Sequence, residues 1–154
     1  MTSKSKTIIL SCLIVFGLGF ATKSIAQSKE NSKSNNKIHF IEDDWKAALK
    51  QAAAQHKYIF IDAYASWCGP CKMLKARTFT DTKAATFYNK NFINISMDME
   101  KGMGPQLAQE WGLQAYPTLI IFNSKGKPVS GTVGFISADK LIQFGQEALA
   151  KKAL

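Results

Sequence analysis

Ala65-Ser66-Trp67-Cys68-Gly69-Pro70-Cys71-Lys72 is the stretch on which the chain turns. An apolar, strand-like run, Tyr58-Ile59-Phe60-Ile61, leads into it, and a helix-like run, Met73-Leu74-Lys75-Ala76-Arg77, leads out. A strand-to-helix junction of this kind puts Cys68 at a helix N-terminus. There the unpaired backbone N–H groups and the positive end of the helix dipole stabilise a thiolate. Cys71 follows one turn later, within disulfide reach of Cys68, so the pair can cycle between dithiol and disulfide.

Read outward, the segment from Ile61 to Lys72 resembles the active-site strand, turn and helix of thioredoxin. The resemblance continues in Ala115-Tyr116-Pro117-Thr118-Leu119 and then in Asn123-Ser124-Lys125-Gly126-Lys127. A bare C-x-x-C carries little. W-C-G-P-C-K with Asp62 upstream and a Y-P-T strand start downstream is specific. The resemblance covers Ile38 to the C-terminus and implies the thioredoxin fold. That is a single α/β domain with a central five-stranded mixed sheet, helices on both faces, and the element order βαβαβαββα.

Length and composition agree with one soluble domain. The chain has 154 residues, 46% hydrophobic and 20% charged, enough for a sizeable core. Its N-terminus reads as a secretory signal. Lys4 and Lys6 precede an apolar run from Thr7 to Phe20, and Ser24-Ile25-Ala26 offers small residues at the peptidase positions. Cleavage after Ala26 is expected, giving a leader 1–26, a polar linker 27–37 and a thioredoxin-like domain 38–154. The apolar run falls short of the roughly 20 residues that span a bilayer. Ile9-Leu10-Ser11-Cys12 superficially resembles a lipobox, but the run continues past Cys12, so a lipid tether is the less favoured reading.

Without the leader, the formal charge drops from +9 to +6, because Lys4, Lys6 and Lys23 leave with no acid. No aromatic-basic motif points to nucleic acid. Cys12 leaves too, so Cys68 and Cys71 would be the mature cysteines. In an oxidising compartment that spacing points to catalysis rather than stapling.

Ile38-His39-Phe40-Ile41 is the first strand candidate. Asp43 or Asp44 caps a helix from Trp45 to Gln55, with Trp45, Leu49 and Ala53 on one stripe. Lys57 to Ala65 reads as the central buried strand. The active-site helix runs from Cys68 to Arg77, where Thr78-Phe79-Thr80-Asp81 breaks it, and Thr80 or Asp81 caps a second stretch to Lys90. Phe92 to Asp98 is a strand, Pro105 to Trp111 a helix ended by Gly112, and Thr118 to Phe122 a strand. The turn Ser124 to Lys127 leads to an edge strand, Pro128 to Gly134. Ser137 caps the last helix, Ala138 to Lys151, with Leu141, Ile142, Phe144 and Leu149 inward.

The chemistry expected is dithiol–disulfide exchange. Cys68 is the nucleophile and Cys71 the resolving thiol, one turn in and less exposed. An inert bridge and a metal site are the alternatives. A single C-x-x-C lacks the remaining ligands of a structural zinc site, His39 and His56 stand isolated, and haem attachment would need His where Lys72 stands. No metal and no cofactor beyond the Cys68–Cys71 disulfide are expected.

The resemblance adds further roles. Asp62 takes the place of the family's buried carboxylate, able to exchange the proton of Cys71. The family's lysine beside that carboxylate is replaced, on alignment, by Asn94, which leaves Asp62 without its charge partner. Pro117 matches the cis-proline opposite the disulfide and leaves the backbone of Tyr116 to pair with an extended substrate. Trp67, Gly69, Pro70 and Gly134 line the same contact surface, with simple packing as the alternative for Trp67. Gly69-Pro70 lacks the side-chain donor to sulfur found in exported oxidases, which predicts a stable disulfide and a reducing dithiol.

The expectation is therefore an exported, periplasmic protein-disulfide reductase, monomeric, acting on disulfides of other exported proteins. A membrane disulfide reductase would supply its electrons. An oxidase or isomerase using the same cysteines is the alternative, and a binding or holdase module with a vestigial site is a third.

Overall fold

The computed structural model describes residues 36–151. The expected leader, its lipobox alternative and most of the polar linker lie outside the described residues.

Five strands form one mixed sheet in the order β1-β3-β2-β4-β5. They are β1 (Ile41–Glu42), β2 (Tyr58–Tyr64), β3 (Phe92–Asp98), β4 (Thr118–Phe122) and β5 (Pro128–Val133). β2 lies at the centre, parallel to β3 and antiparallel to β4, while β1 runs parallel to β3 and β5 antiparallel to β4. Because successive side chains alternate between faces, β2 divides its residues between two cores. Ile59, Ile61 and Ala63 pack under α1 (Trp45–Gln55) and α4 (Gly104–Glu110), together with Trp45, Ala48 and Leu107. Phe60 points the other way, towards α3 (Thr82–Asn91) and α5 (Ala138–Ala150), among Leu74, Tyr88 and Leu141. Asp62 shares the face of Phe60 and is fully buried. The expected architecture, an open mixed sheet with helices on both faces, is the observed one.

Helix starts follow the capping residues. Asp44 accepts from the Ala47 N–H, Asp81 from Ala84, and Ser137 from Lys140. His56 closes α1 in the left-handed conformation.

Three expectations need correction. The first strand is Ile41–Glu42, not residues 38–41, because the earlier backbone is engaged elsewhere. The Ile38 N–H donates to the Phe79 carbonyl at 2.8 Å, and the His39 N–H to Asn89 Oδ1 at 2.9 Å. The buried stripe of α1 is Trp45, Ala48 and Ala52, with Leu49 half-buried, and Ala53 is exposed. At 3.6 residues per turn, residue 52 returns to the azimuth of Trp45 and residue 53 overshoots it. The active-site helix α2 spans only Gly69–Met73, with Cys68 as its N-cap. The chain then widens into a π-helical turn, Leu74–Thr78, closed by the Phe79 N–H to the Leu74 carbonyl at 2.9 Å. Such turns interrupt α-helices without proline.

The packing of α5 on α3 leaves no room at Gly145. A Cβ there would lie 2.7 Å from Phe87 Cε1 and 2.9 Å from the Tyr88 hydroxyl. That hydroxyl donates to the Leu141 carbonyl at 2.7 Å and is held in place. Gly145→Ala is expected to destabilise the fold by about 2 kcal/mol through overpacking, read as a lowered urea midpoint. An unchanged midpoint would mean that α5 slides freely on α3.

Candidate active site

Cys68 and Cys71 form a disulfide at the mouth of α2, with S–S 2.01 Å and Cα–Cα 5.3 Å. The strand-to-helix junction sets the geometry. β2 ends at Tyr64, Cys68 caps α2 in extended conformation, and Pro70 occupies the first turn, where its missing N–H removes no helical bond. The Cys71 N–H donates to Cys68 Sγ at 3.1 Å. Cys68 therefore receives a backbone donor that Cys71 itself supplies.

Cys71 was expected to be the less exposed of the two. In the disulfide form both are 2% exposed. Ala65, Tyr64 and Tyr116 pack around the pair and cover Cys68 as fully as Cys71.

The second half of the site comes from the loop before β4. The Tyr116–Pro117 bond is cis. The Gly134 N–H donates to the Pro117 carbonyl at 2.8 Å, which ties the end of β5 to the proline loop. Gly134 has φ +93°, a conformation that side-chain-bearing residues rarely adopt. The Tyr116 ring meets Trp67 edge-on at 6.3 Å, and the Trp67 Nε1–H donates to Glu100 Oε1 at 2.8 Å. Trp67 is held at its edge yet remains 66% exposed, so core packing does not explain it. Gly69 and Pro70 are also exposed. Sequence reasoning missed the rest of the apolar rim: Val133, Met73 and Phe135 are exposed as well. An exposed large apolar residue alone says little, but Met73 ends α2 two residues after Cys71, and Val133 and Phe135 flank Gly134, whose N–H reaches the Pro117 carbonyl, so all three lie on the elements that carry the site.

Asp62 lies behind this surface. Its register partner on β3 is Ser96, not Asn94, which stands opposite Phe60. The Ser96 hydroxyl donates to Asp62 Oδ2 at 3.0 Å, and Oδ1 accepts from no protein group among the described residues. Nor is the carboxylate without a cation, as the missing β3 lysine had implied. Burial pushes its pKa from 3.8 up to about 6. Lys75 opposes that rise, Ser96 opposes it less, and Glu42 adds to it. Lys75 and Ser96 are thus functional neighbours that the strand pattern did not reveal. Nearby, burial drives Asp98 upward, but the Lys101 ammonium at 2.8 Å and the Glu100 N–H prevail and hold it below its ordinary value.

The arrangement gathers Asp62, Cys68, Cys71, Trp67, Gly69, Pro70, Tyr116, Pro117 and Gly134 at one end of the sheet. A buried acid that titrates near neutrality, a capped cysteine pair and an apolar rim are what exchange with a protein disulfide requires.

Comparison with known proteins agrees. The family model for the thioredoxin-like domain matches residues 45–149. The thiol:disulfide interchange protein DsbD of Pseudoalteromonas atlantica is 30% identical over 121 residues, which is 76% of this chain and 20% of that protein. The chain thus spans about a fifth of that relative's length. Among solved structures, a candidate disulphide-isomerase from Bacteroides thetaiotaomicron superposes with a TM-score of 0.66 at 39% identity, over 74% of this chain and 94% of that one. The oxidised C-terminal domain of Neisseria meningitidis DsbD gives 0.60 at 27% identity, over 70% and 98%.

Proposed function

We infer function from the premise that the chain belongs to the thioredoxin-like domain family. Its chemistry is thiol–disulfide exchange. We propose that it runs in the reducing direction, on disulfides of other exported proteins, in the periplasm.

In the proposed cycle Cys68, as thiolate, attacks one sulfur of a partner disulfide. A Cys68–partner disulfide forms and the other partner sulfur leaves as thiolate. Asp62, as carboxylate, takes the Cys71 proton. The Cys71 thiolate then attacks Cys68 Sγ, the mixed disulfide breaks, and the second partner sulfur leaves. The partner gains two electrons, with one proton handed on from the Asp62 carboxyl and the other taken from water, and Cys68–Cys71 closes. A dithiol donor, proposed to be a membrane disulfide reductase, returns the electrons. Partners would present an extended apolar segment to the rim of Trp67, Met73, Val133 and Phe135.

The observation that supports exchange with Cys68 as the attacking sulfur is the Cys71 N–H on Cys68 Sγ at 3.1 Å, whereas the direction rests on what stands between the cysteines. In the dithiol that donor and the α2 terminus favour negative charge on Cys68. Gly69-Pro70 adds no side-chain donor that would stabilise the thiolate further, so the disulfide stays hard to reduce and the dithiol is a good reductant. Isomerisation is the second reading, favoured by the likeness to the Bacteroides structure.

Equilibrating the whole chain with a dithiol buffer separates the two. A potential near about −270 mV is expected, as for thioredoxin. A value between about −120 and −180 mV would reverse the direction and make the protein an oxidant or isomerase.

A further inference from the structure

Asp62 is buried on the sheet with one neutral donor, Ser96, and an Oδ1 atom that accepts from no protein group among the described residues. Charge in such a place needs compensation. The cation does not come from the strands on either side, which put Ser96 and Leu119 opposite Asp62.

A cavity of about 680 Å³ opens at Ser96. Its walls are apolar at Ile38, Phe40 and Phe79, and its charged groups include Glu42 from β1 and Lys75 from the π-helical turn. Lys75 has a fixed place there. Its Nζ sits 3.2 Å from the centroid of the Tyr64 ring, an arrangement held by the ring's negative face. Tyr64 lies two residues beyond Asp62 on β2, on the same face of the sheet. The turn after the active-site helix thus delivers an ammonium to the face that carries the buried carboxylate.

We propose that Lys75 is the positioning residue for Asp62: held on the Tyr64 ring beside the cavity that opens at Ser96, it supplies the positive charge that β3 lacks. The consequence for exchange rests on the reading of Asp62 as the acceptor of the Cys71 proton. Ser96 of β3 and Leu119 of β4 stand opposite Asp62, and the titratable and charged groups of the cavity at Ser96 are Glu42 of β1, Lys75, and Lys37 and His39 from the segment before β1. Cys71 joins them as a titrating group only once the disulfide opens. Among the charges, Lys75 pulls the carboxyl down and Glu42 pushes it up, against the larger effect of burial. The two side chains therefore act with opposite sign.

The test is a carbon-13 NMR titration of the Asp62 carboxyl in the oxidised whole chain. Lys75→Met keeps the aliphatic stem against Tyr64 and is expected to move the midpoint up by about one pH unit. Lys75→Arg should leave it near the wild-type value. Glu42→Gln, which keeps Lys75, should move it down. An unmoved midpoint in Lys75→Met, an equal rise in Lys75→Arg, or a rise in Glu42→Gln overturns the proposal. The pH–rate profile for release of a mixed disulfide is read alongside. If the NMR midpoint rises in Lys75→Met and the profile stays still, the Lys75 assignment stands, and it is the role of Asp62 in exchange that fails.

Discussion

Cys68→Ser is expected to stop reduction of a model protein disulfide such as insulin, by at least about three orders of magnitude, the scale on which loss of an attacking nucleophile is felt. Cys71→Ser is expected to behave differently. It keeps the attacking sulfur, so the partner is captured, but nothing resolves the adduct, and one equivalent of mixed disulfide accumulates. Exposure does not predict this asymmetry, since each cysteine is 2% exposed in the disulfide. It follows from polarity along the chain. Cys68 is the N-cap and receives the Cys71 N–H, whereas Cys71 is already inside the helix. The thiolate is therefore favoured at Cys68. Mass spectrometry after mixing each variant with substrate reads both outcomes. Capture by Cys68→Ser through Cys71 would invert the roles. Full biological activity retained by Cys68→Ser, with disulfide reduction lost, would leave only a binding or holdase module.

The sequence was most legible where local pattern and burial agree. β2 and β4 are buried on both faces and appear as nearly unbroken apolar runs, while β3 shows itself by alternation through Ile93, Ile95 and Met97, and their limits were visible in outline. Asp44, Asp81 and Ser137 marked helix starts because a capping side chain acts within three residues of itself. What stayed hidden depends on distant partners. Ile38 and His39 look like strand residues but give their N–H groups to Phe79 and Asn89. Asn94 and Ser96 lie on the same face of β3, two residues apart, so alternation cannot choose between them, and only the ladder to β2 puts Ser96 opposite Asp62. Lys75 escaped for the same reason. A search along the neighbouring strand for a cation cannot find one carried by a helix, and the π-helical turn that carries it has no proline or glycine to announce it. The cysteine pair was legible because its chemistry is local, and the cis-proline segment was legible through the family resemblance. The charge balance around Asp62 was not, because three elements assemble it.

Asp62→Asn should show opposite effects on stability and on activity. The buried carboxyl has its pKa raised from 3.8 to about 6. Between those pH values the folded chain holds a proton that the unfolded chain has released. Stability from this group is thus fully present below about pH 4 and is lost as pH rises through about 6. The full loss is about 3 kcal/mol, at about 1.4 kcal/mol per pH unit. Asn keeps the shape and an acceptor for the Ser96 hydroxyl but cannot ionise. Relative to wild type, the variant is expected to gain about 3 kcal/mol of stability between pH 4 and pH 7.5, on the order of 10 °C in melting temperature. Over the same range it should lose about 10²-fold in the rate of mixed-disulfide release, the contribution of a positioned base. Urea unfolding at the two pH values reads the first effect and stopped-flow release the second. Parallel pH dependence of stability in wild type and variant would mean that Asp62 does not titrate near 6. A stabilised variant with undiminished exchange would make Asp62 a buried charge without a task. Loss of activity together with gain of stability is the combination that a purely structural residue does not produce, because losing a structural contact lowers both.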